Sequence, residues 1–235
     1  MELALHSDAR LPYELKPSPY SSHSLLLAAL PAPGGGRRVL DLGCAAGYLS
    51  ELLSGRGYRV TGVDRAESIS DHFPASVELI LADLDQGLPT LSTRFSHVVC
   101  ADILEHLREP ERLLAAIPKV LERSGGVIAS LPNSGNIYFR LNVLLGRFPQ
   151  HDRGLFDRTH LHFYTWDGWV DLFRRGGFRI ESVRPTGIPV SLALPRWSDA
   201  PVVRIMERLC YELARFWQRL FAYQFVVIAR PEPSV

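Results

Sequence analysis

Three aspartates stand where short apolar runs end. Asp41 lies in Val39-Leu40-Asp41-Leu42, Asp64 closes Val60-Thr61-Gly62-Val63-Asp64, and Asp83 follows Leu81-Ala82. Asp41 leads into Gly43-Cys44-Ala45-Ala46-Gly47-Tyr48, so the spacing reads Asp-x-Gly-x-Ala-x-Gly. A turn poor in bulky side chains lets a ligand approach the backbone closely. Nicotinamide and flavin proteins use a glycine-rich turn at the same place, so the turn alone leaves the ligand open. Two details narrow it. An acid two residues before the first glycine suits a cofactor with a cationic amino-acid end better than a pyrophosphate. Asp64, seventeen residues beyond Gly47, stands where an acid that reads ribose hydroxyls falls. Asp83 is placed to accept from an adenine amino group.

The elements that must carry these acids can be read from periodicity. Strands are expected at 39–42, a short apolar run ending in glycines, and at 58–63, 77–82, 95–101, 127–131, 178–183 and 224–230. Helices are expected over 21–30, 47–56, 109–123, 136–145 and 166–175. Pro118 bends the third of them and Gly125-Gly126 ends it, while Thr165 caps the last. Alternating strands and helices imply an α/β fold with a mostly parallel sheet and helices on both faces. Residues 1–35 form an amino-terminal cap on one domain spanning 1–235. Residues 186–223 form a helical insertion before the last strand.

Taken together, the residues at 41–48, 64 and 83 resemble motifs I, II and III of the class I S-adenosylmethionine (SAM) dependent methyltransferases. Phe95 to Ala101, followed by Leu104-Glu105-His106-Leu107, is similar to that family's fourth strand and the segment after it. Ser124 to Ile128 is similar to its entry into strand five. Gly154-Leu155-Phe156-Asp157-Arg158-Thr159-His160-Leu161-His162-Phe163-Tyr164-Thr165 resembles a stretch found in the bacterial group near the ubiquinone-biosynthesis O-methyltransferases. The resemblance covers about residues 20–183 plus the last strand. It implies a Rossmann-like, seven-stranded fold whose last strand is antiparallel. It also implies SAM contacts from Asp41, Gly43, Cys44, Ala45, Gly47, Tyr48, Asp64, Arg65, Ala82, Asp83, Leu84 and Ala101. Tyr20 and His23 would close over the methionine end. Ala45 departs from the family's middle glycine, and its extra methyl is small.

Methyl transfer from a sulfonium needs acceptor and methyl held close, aligned and dry. An oxygen acceptor also needs its proton removed, and a positioned base contributes roughly 10²–10⁴-fold. Histidine suits that task near neutral pH. His106 follows the fourth strand, and with Glu105 it is placed to deprotonate an acceptor or to stiffen the turn under the cofactor. If 159–164 is extended, His160, His162 and Tyr164 share one face and Leu161 and Phe163 the other. His160 is then a base or acceptor contact, while His162 either joins it or fixes the loop. Asn133 is a further candidate contact, Asp157 and Arg158 pair or fix the loop, and Trp166 and Trp169 anchor the core.

In the insertion, Val202, Val203, Met206, Leu209, Cys210, Leu213, Phe216, Trp217 and Leu220 are expected on one face, with Arg204, Arg208, Arg215 and Arg219 opposite. That pattern suits a sheet-edge cover, a homodimer contact or a membrane-surface helix, and Glu207 and Glu212 weaken the last. Net charge is +1 over 235 residues. No basic excess or Asn/Asp-Pro-Pro-aromatic motif points to nucleic acid. The three cysteines, Cys44, Cys100 and Cys210, show neither a CxxC pair nor metal spacing. No signal peptide or spanning run is read, so a cytoplasmic location is expected. The expected activity is methyl transfer to a small-molecule acceptor, through oxygen on a sugar, a phenol or a natural-product intermediate. N-methylation of a small amine and a non-catalytic binding subunit are the alternatives.

Overall fold

The computed structural model describes residues 18–198 and 200–232. Seven strands form one sheet: β1 (Arg38–Leu42), β2 (Arg59–Asp64), β3 (Glu78–Leu81), β4 (Phe95–Ala101), β5 (Leu121–Pro132), β6 (Phe178–Pro185) and β7 (Gln224–Pro231). Their spatial order is β3-β2-β1-β4-β5-β7-β6. β1 to β5 run parallel, and β7 runs antiparallel to both β5 and β6. The helices are α1 (Ser22–Ala29), α2 (Tyr48–Gly55), α3 (Pro110–Ala116), α4 (Ile137–Leu144), α5 (Trp166–Arg175), α6 (Val190–Ala193), α7 (Pro201–Phe216) and α8 (Gln218–Phe221).

Side-chain alternation along the central strands explains the two layers. Leu40 and Leu42 face one core, with Leu113 and Leu114 of α3 and Trp169, Leu172 and Phe173 of α5. Val39 faces the other, with Leu26 of α1 and Leu49 and Leu53 of α2. A strand buried on both faces needs apolar residues at every position, and β1 supplies them over Val39–Leu42 except at Asp41.

Two expectations need correction. The helix expected over 109–123 stops at Ala116. Pro118 lacks an N–H and its ring clashes with a helical carbonyl, so the chain tightens into a 3₁₀ turn at Ile117–Lys119. Leu121 therefore belongs to β5, and Gly125-Gly126 lies inside that strand. A Cβ at Gly125 would sit 2.9 Å from the Glu122 carbonyl oxygen, and one at Gly126 2.9 Å from that of Ala229. These glycines keep a crowded strand passable. At α5 the expected bounds hold, but the Thr165 side chain makes no capping hydrogen bond.

The insertion holds the long helix α7, as expected, and then breaks at Trp217 before α8. Its apolar residues do not share one buried face. Val203 and Ala214 are buried with Glu207, whereas Val202, Met206, Leu209, Leu213, Phe216 and Trp217 are exposed. Glu207 accepts from the Ser191 amide at 3.0 Å and its hydroxyl at 2.6 Å. Tyr211 stacks on Tyr20, ring centroids 4.6 Å apart. The body-facing side of α7 is thus partly polar, which an apolar-face count cannot reveal.

Candidate active site

The carboxyl ends of β1 to β4 open onto one cavity of about 410 Å³, within the range of small-molecule sites. Between β1 and α2 the chain turns through left-handed backbone at Gly43 (φ 77°), Ala45 (φ 45°) and Gly47 (φ 80°). A side chain at Gly43 would strike Ile103 at 2.8 Å, and one at Gly47 would strike Pro74 at 2.6 Å. Ala45 sits where glycine is usual, and its amide donates to Asp64 Oδ2 at 2.8 Å.

The wall carries Asp41, Gly43, Cys44, Ala45, Tyr48, Asp64, Arg65, Ala82, Asp83, Leu84, Ala101 and His23. Nearly every residue expected to hold the cofactor is therefore brought to one surface. Gly47 shapes the turn as the residue before α2, and Tyr20 instead stacks against Tyr211. Asp41 is buried and accepts from Ser50 Oγ at 2.6 Å. Burial pushes its carboxyl up to about 6, the Ser50 hydrogen bond pulls back, and the nearby Asp64 carboxylate adds to the rise. Burial likewise raises the thiol of Cys44, which leaves it a neutral small apolar group on the wall. The wall thus presents three acids, Asp41, Asp64 and Asp83, around a turn with exposed backbone, a surface matched to a cation-bearing nucleoside.

Beyond Ala101 the backbone bends through Asp102, itself left-handed at φ 53°. Its carboxylate accepts from Ser130 Oγ at 2.6 Å and Gln224 Nε2 at 2.8 Å, tying β4 to β5 and β7. Then Leu104–His106 forms a 3₁₀ turn. His106 and Thr159 both line the cavity. Asp157 Oδ1 accepts the Thr159 hydroxyl at 2.6 Å and the Thr159 amide at 2.8 Å. Burial acts to raise Asp157, but these two hydrogen bonds together with the neighbouring His160 and His106 hold its carboxyl below the ordinary value. Because the Thr159 hydroxyl proton goes to Asp157, its oxygen can only accept from His106 Nδ1, 3.0 Å away. The Thr159 carbonyl oxygen, 3.2 Å from the same nitrogen, also accepts. Both partners assign a proton to Nδ1, so the neutral ring would carry its lone pair on Nε2.

His160 lies behind this pair rather than on the cavity wall. Its ring meets His106 edge-on at 4.7 Å, and its Nε2 is 3.8 Å from Oε1 of the fully buried Glu105. Burial and the neighbouring His106 push it down to about 4, so it is neutral. His162 donates its Nε2–H to the Leu107 carbonyl oxygen at 2.9 Å, which fixes that tautomer and a loop-holding role. The expected alternation over 159–164 holds for His162 and Tyr164, which stack, but not for His160, whose ring contacts Phe163. Asn133 is buried, accepting from the Gly135 amide and donating to the Ala222 carbonyl, so it too serves the loop. Arg158 pairs with Asp152 rather than Asp157. Among the described residues, Glu105, His106 and His160 bring ligand atoms within 4.8 Å of one another, a set able to hold a metal ion. Residues more than fifty positions apart give no local spacing from which to foresee it. Thr159 and Asp102 were missed for the same reason.

Residues 10–183 match the family model described as a methyltransferase domain. The chain is 33% identical over 104 residues to the ubiquinone biosynthesis O-methyltransferase of Coxiella burnetii, covering 42% of this chain and 44% of that protein. For the same enzyme of Thiobacillus denitrificans the figures are 30% over 120 residues, 48% and 52%. The chain thus spans about half the length of the curated relatives it matches. Among solved structures, a putative methyltransferase of Haloferax volcanii in complex with the Trm112 methyltransferase activator superposes with a TM-score of 0.63 at 15% identity, covering 90% of this chain and 89% of that one. The magnesium protoporphyrin IX methyltransferase of Synechocystis, with bound S-adenosylhomocysteine, gives 0.55 at 18% identity, covering 90% and 80%. With most of its length inside the family model, the chain belongs to the methyltransferase-domain family.

Proposed function

We propose that the chain methylates a hydroxyl oxygen of a small-molecule acceptor and that His106 takes the hydroxyl proton. The observation that carries this reading is the run Asp157–Thr159–His106, which holds the Nδ1 side of an imidazole on the cavity wall. The partial likeness to ubiquinone-biosynthesis O-methyltransferases supports oxygen as the accepting atom and a phenol as one acceptor class.

When bound, SAM supplies an electrophilic methyl on a good leaving group. Asp64 is placed to accept the ribose hydroxyls, Asp83 the adenine amino group, and Asp41 to face the cationic amino-acid end. The Gly43–Gly47 turn lets the cofactor lie against backbone. His106 Nε2 accepts the acceptor's proton, and the charge that then develops on the ring is met through Nδ1 by Thr159 and the Asp157 carboxylate. Tyr48 and His23 close the wall from the α1–α2 side.

The test is His106→Ala assayed on a panel of phenols, sugars and amines, beside SAM titration by calorimetry. A loss of roughly 10²–10³-fold in kcat on a hydroxyl acceptor, with SAM affinity within about twofold, is expected. Unchanged turnover would remove His106 from the reaction. Methylation of amines alone would establish the N-methyl alternative. SAM binding with no turnover on any acceptor class would favour a binding subunit.

A further inference from the structure

The outward face of α7 is built to meet another helix. At 3.6 residues per turn, Val202, Met206, Leu209, Leu213 and Phe216 follow one another at spacings of four, three, four and three, the seam of a two-helix contact. All five are exposed, Phe216 by 85%, and Ile205 and Trp217 extend the strip. Together these seven side chains leave on the order of 800 Å² open, what each partner of a stable interface covers. That exceeds the largest apolar patch of a typical monomer, roughly 300–600 Å². The strip is rigidly presented. The other side of α7 is clamped to the body through Val203, Ala214, the Glu207–Ser191 hydrogen bonds and the Tyr211–Tyr20 stack.

We infer that this face is the interface of a two-fold dimer in which α7 packs antiparallel to α7 of a second copy. Charge pattern selects that occupant. Glu212 and Arg208 border the strip on the same side, both exposed. A two-fold axis near Leu209 and Cys210 brings Glu212 of each copy toward Arg208 of the other, so the pair forms twice by symmetry. An anionic lipid surface fits less well. Glu212 stands at the edge of the strip, where headgroups would repel it, and already draws Arg215 to 3.1 Å. Arg204 and Arg215 lie farther round the helix from the strip. The inference is independent of the acceptor and of the role given to His106. It also places the dimer contact and the SAM cap on opposite sides of one helix, since Tyr211 holds Tyr20 three residues before the cavity residue His23.

Sedimentation equilibrium of the full chain over roughly 1–100 µM tests it. A dimer is expected. Leu209→Glu/Leu213→Glu should weaken it at least 100-fold while leaving circular dichroism and thermal unfolding of the monomer intact, as both side chains are exposed. Arg208→Glu alone should weaken the dimer several-fold, and adding Glu212→Arg should restore it. A wild-type monomer across the whole range would overturn the inference. So would a dimer that persists in the double glutamate variant, because the contact would then lie elsewhere. Wild-type chain that stays monomeric but cosediments with phosphatidylglycerol vesicles, lost in the same variant, would assign the strip to a lipid surface instead.

Discussion

Asp64 accepts the amide N–H of Ala45 at 2.8 Å and that of Arg65 at 2.7 Å, which uses two of a carboxylate's roughly four lone-pair positions. Asp64 also lines the cavity. One side chain therefore pins the glycine turn and is placed to meet a ligand there. Asp64→Ala should weaken SAM binding by about 1.5–3 kcal/mol, the loss of hydrogen bonds to a charged acceptor, and calorimetry with unchanged affinity would refute that assignment. The histidine region separates in the same way. Thr159→Val deletes the oxygen that links Asp157 to His106 and should lower kcat about tenfold with little change in KM for SAM. His160→Ala should also lower turnover at least about tenfold, but through the loss of the ring packed against His106, since His160 itself is off the wall. If the Thr159 variant keeps wild-type kcat, the relay has no catalytic part.

At the scale of elements, α5 and β5 are locked together. Trp169 is fully buried, and its indole N–H donates to the Pro132 carbonyl at 2.8 Å, locking the end of β5 to α5. Trp169→Ala should cost about 3–5 kcal/mol of unfolding free energy, a cavity plus an unmet carbonyl, read by denaturant titration. A loss under about 1 kcal/mol would mean the site collapses around the gap. Sequence periodicity located all seven strands, most of them through a short apolar stretch, and Phe95–Ala101 falls on its expected bounds. It misplaced the end of α3, because Leu121 fits a helical stripe and a strand equally well and only Pro118 decides between them. It brought Asp41, Asp64 and Asp83 to one cavity wall for a local reason: each stands at or near a strand's carboxyl end. It could not sort His106, His160 and His162, because which ring faces the cavity depends on how residues 157–162 fold back on 105–107, a contact more than fifty residues apart in sequence. The faces of α7 escaped for a related reason, since Glu207 is buried by a partner, Ser191, on another helix.

For the whole molecule, pH is the sharpest probe of how fold and cofactor are linked. Asp41 carries a pKa of about 6 in the fold against an ordinary 3.8. The folded state therefore holds a proton that the unfolded chain has released between those values. Its contribution to stability is complete below pH 3.8 and disappears as pH rises through about 6, a change of at most about 3 kcal/mol. His160 and His97 act in the opposite sense. Burial lowers both to about 4 from 6.5, so the stability they contribute is present above pH 6.5 and is lost as pH falls through 4. Stability of the free protein should thus change less between pH 4 and 6 than either class alone dictates, and Asp41→Asn should make its rise with pH steeper. The cofactor shifts this balance, because a cation beside Asp41 favours the ionised carboxylate. At about pH 5.5, SAM binding should release a proton, so calorimetric heats should differ between buffers of different ionisation enthalpy. The difference should vanish in Asp41→Asn and shrink above about pH 7, where Asp41 is already ionised. Equal heats in both buffers at pH 5.5 would place the cationic end of the cofactor away from Asp41. A buffer dependence that survives in Asp41→Asn would assign the proton to another group on the wall.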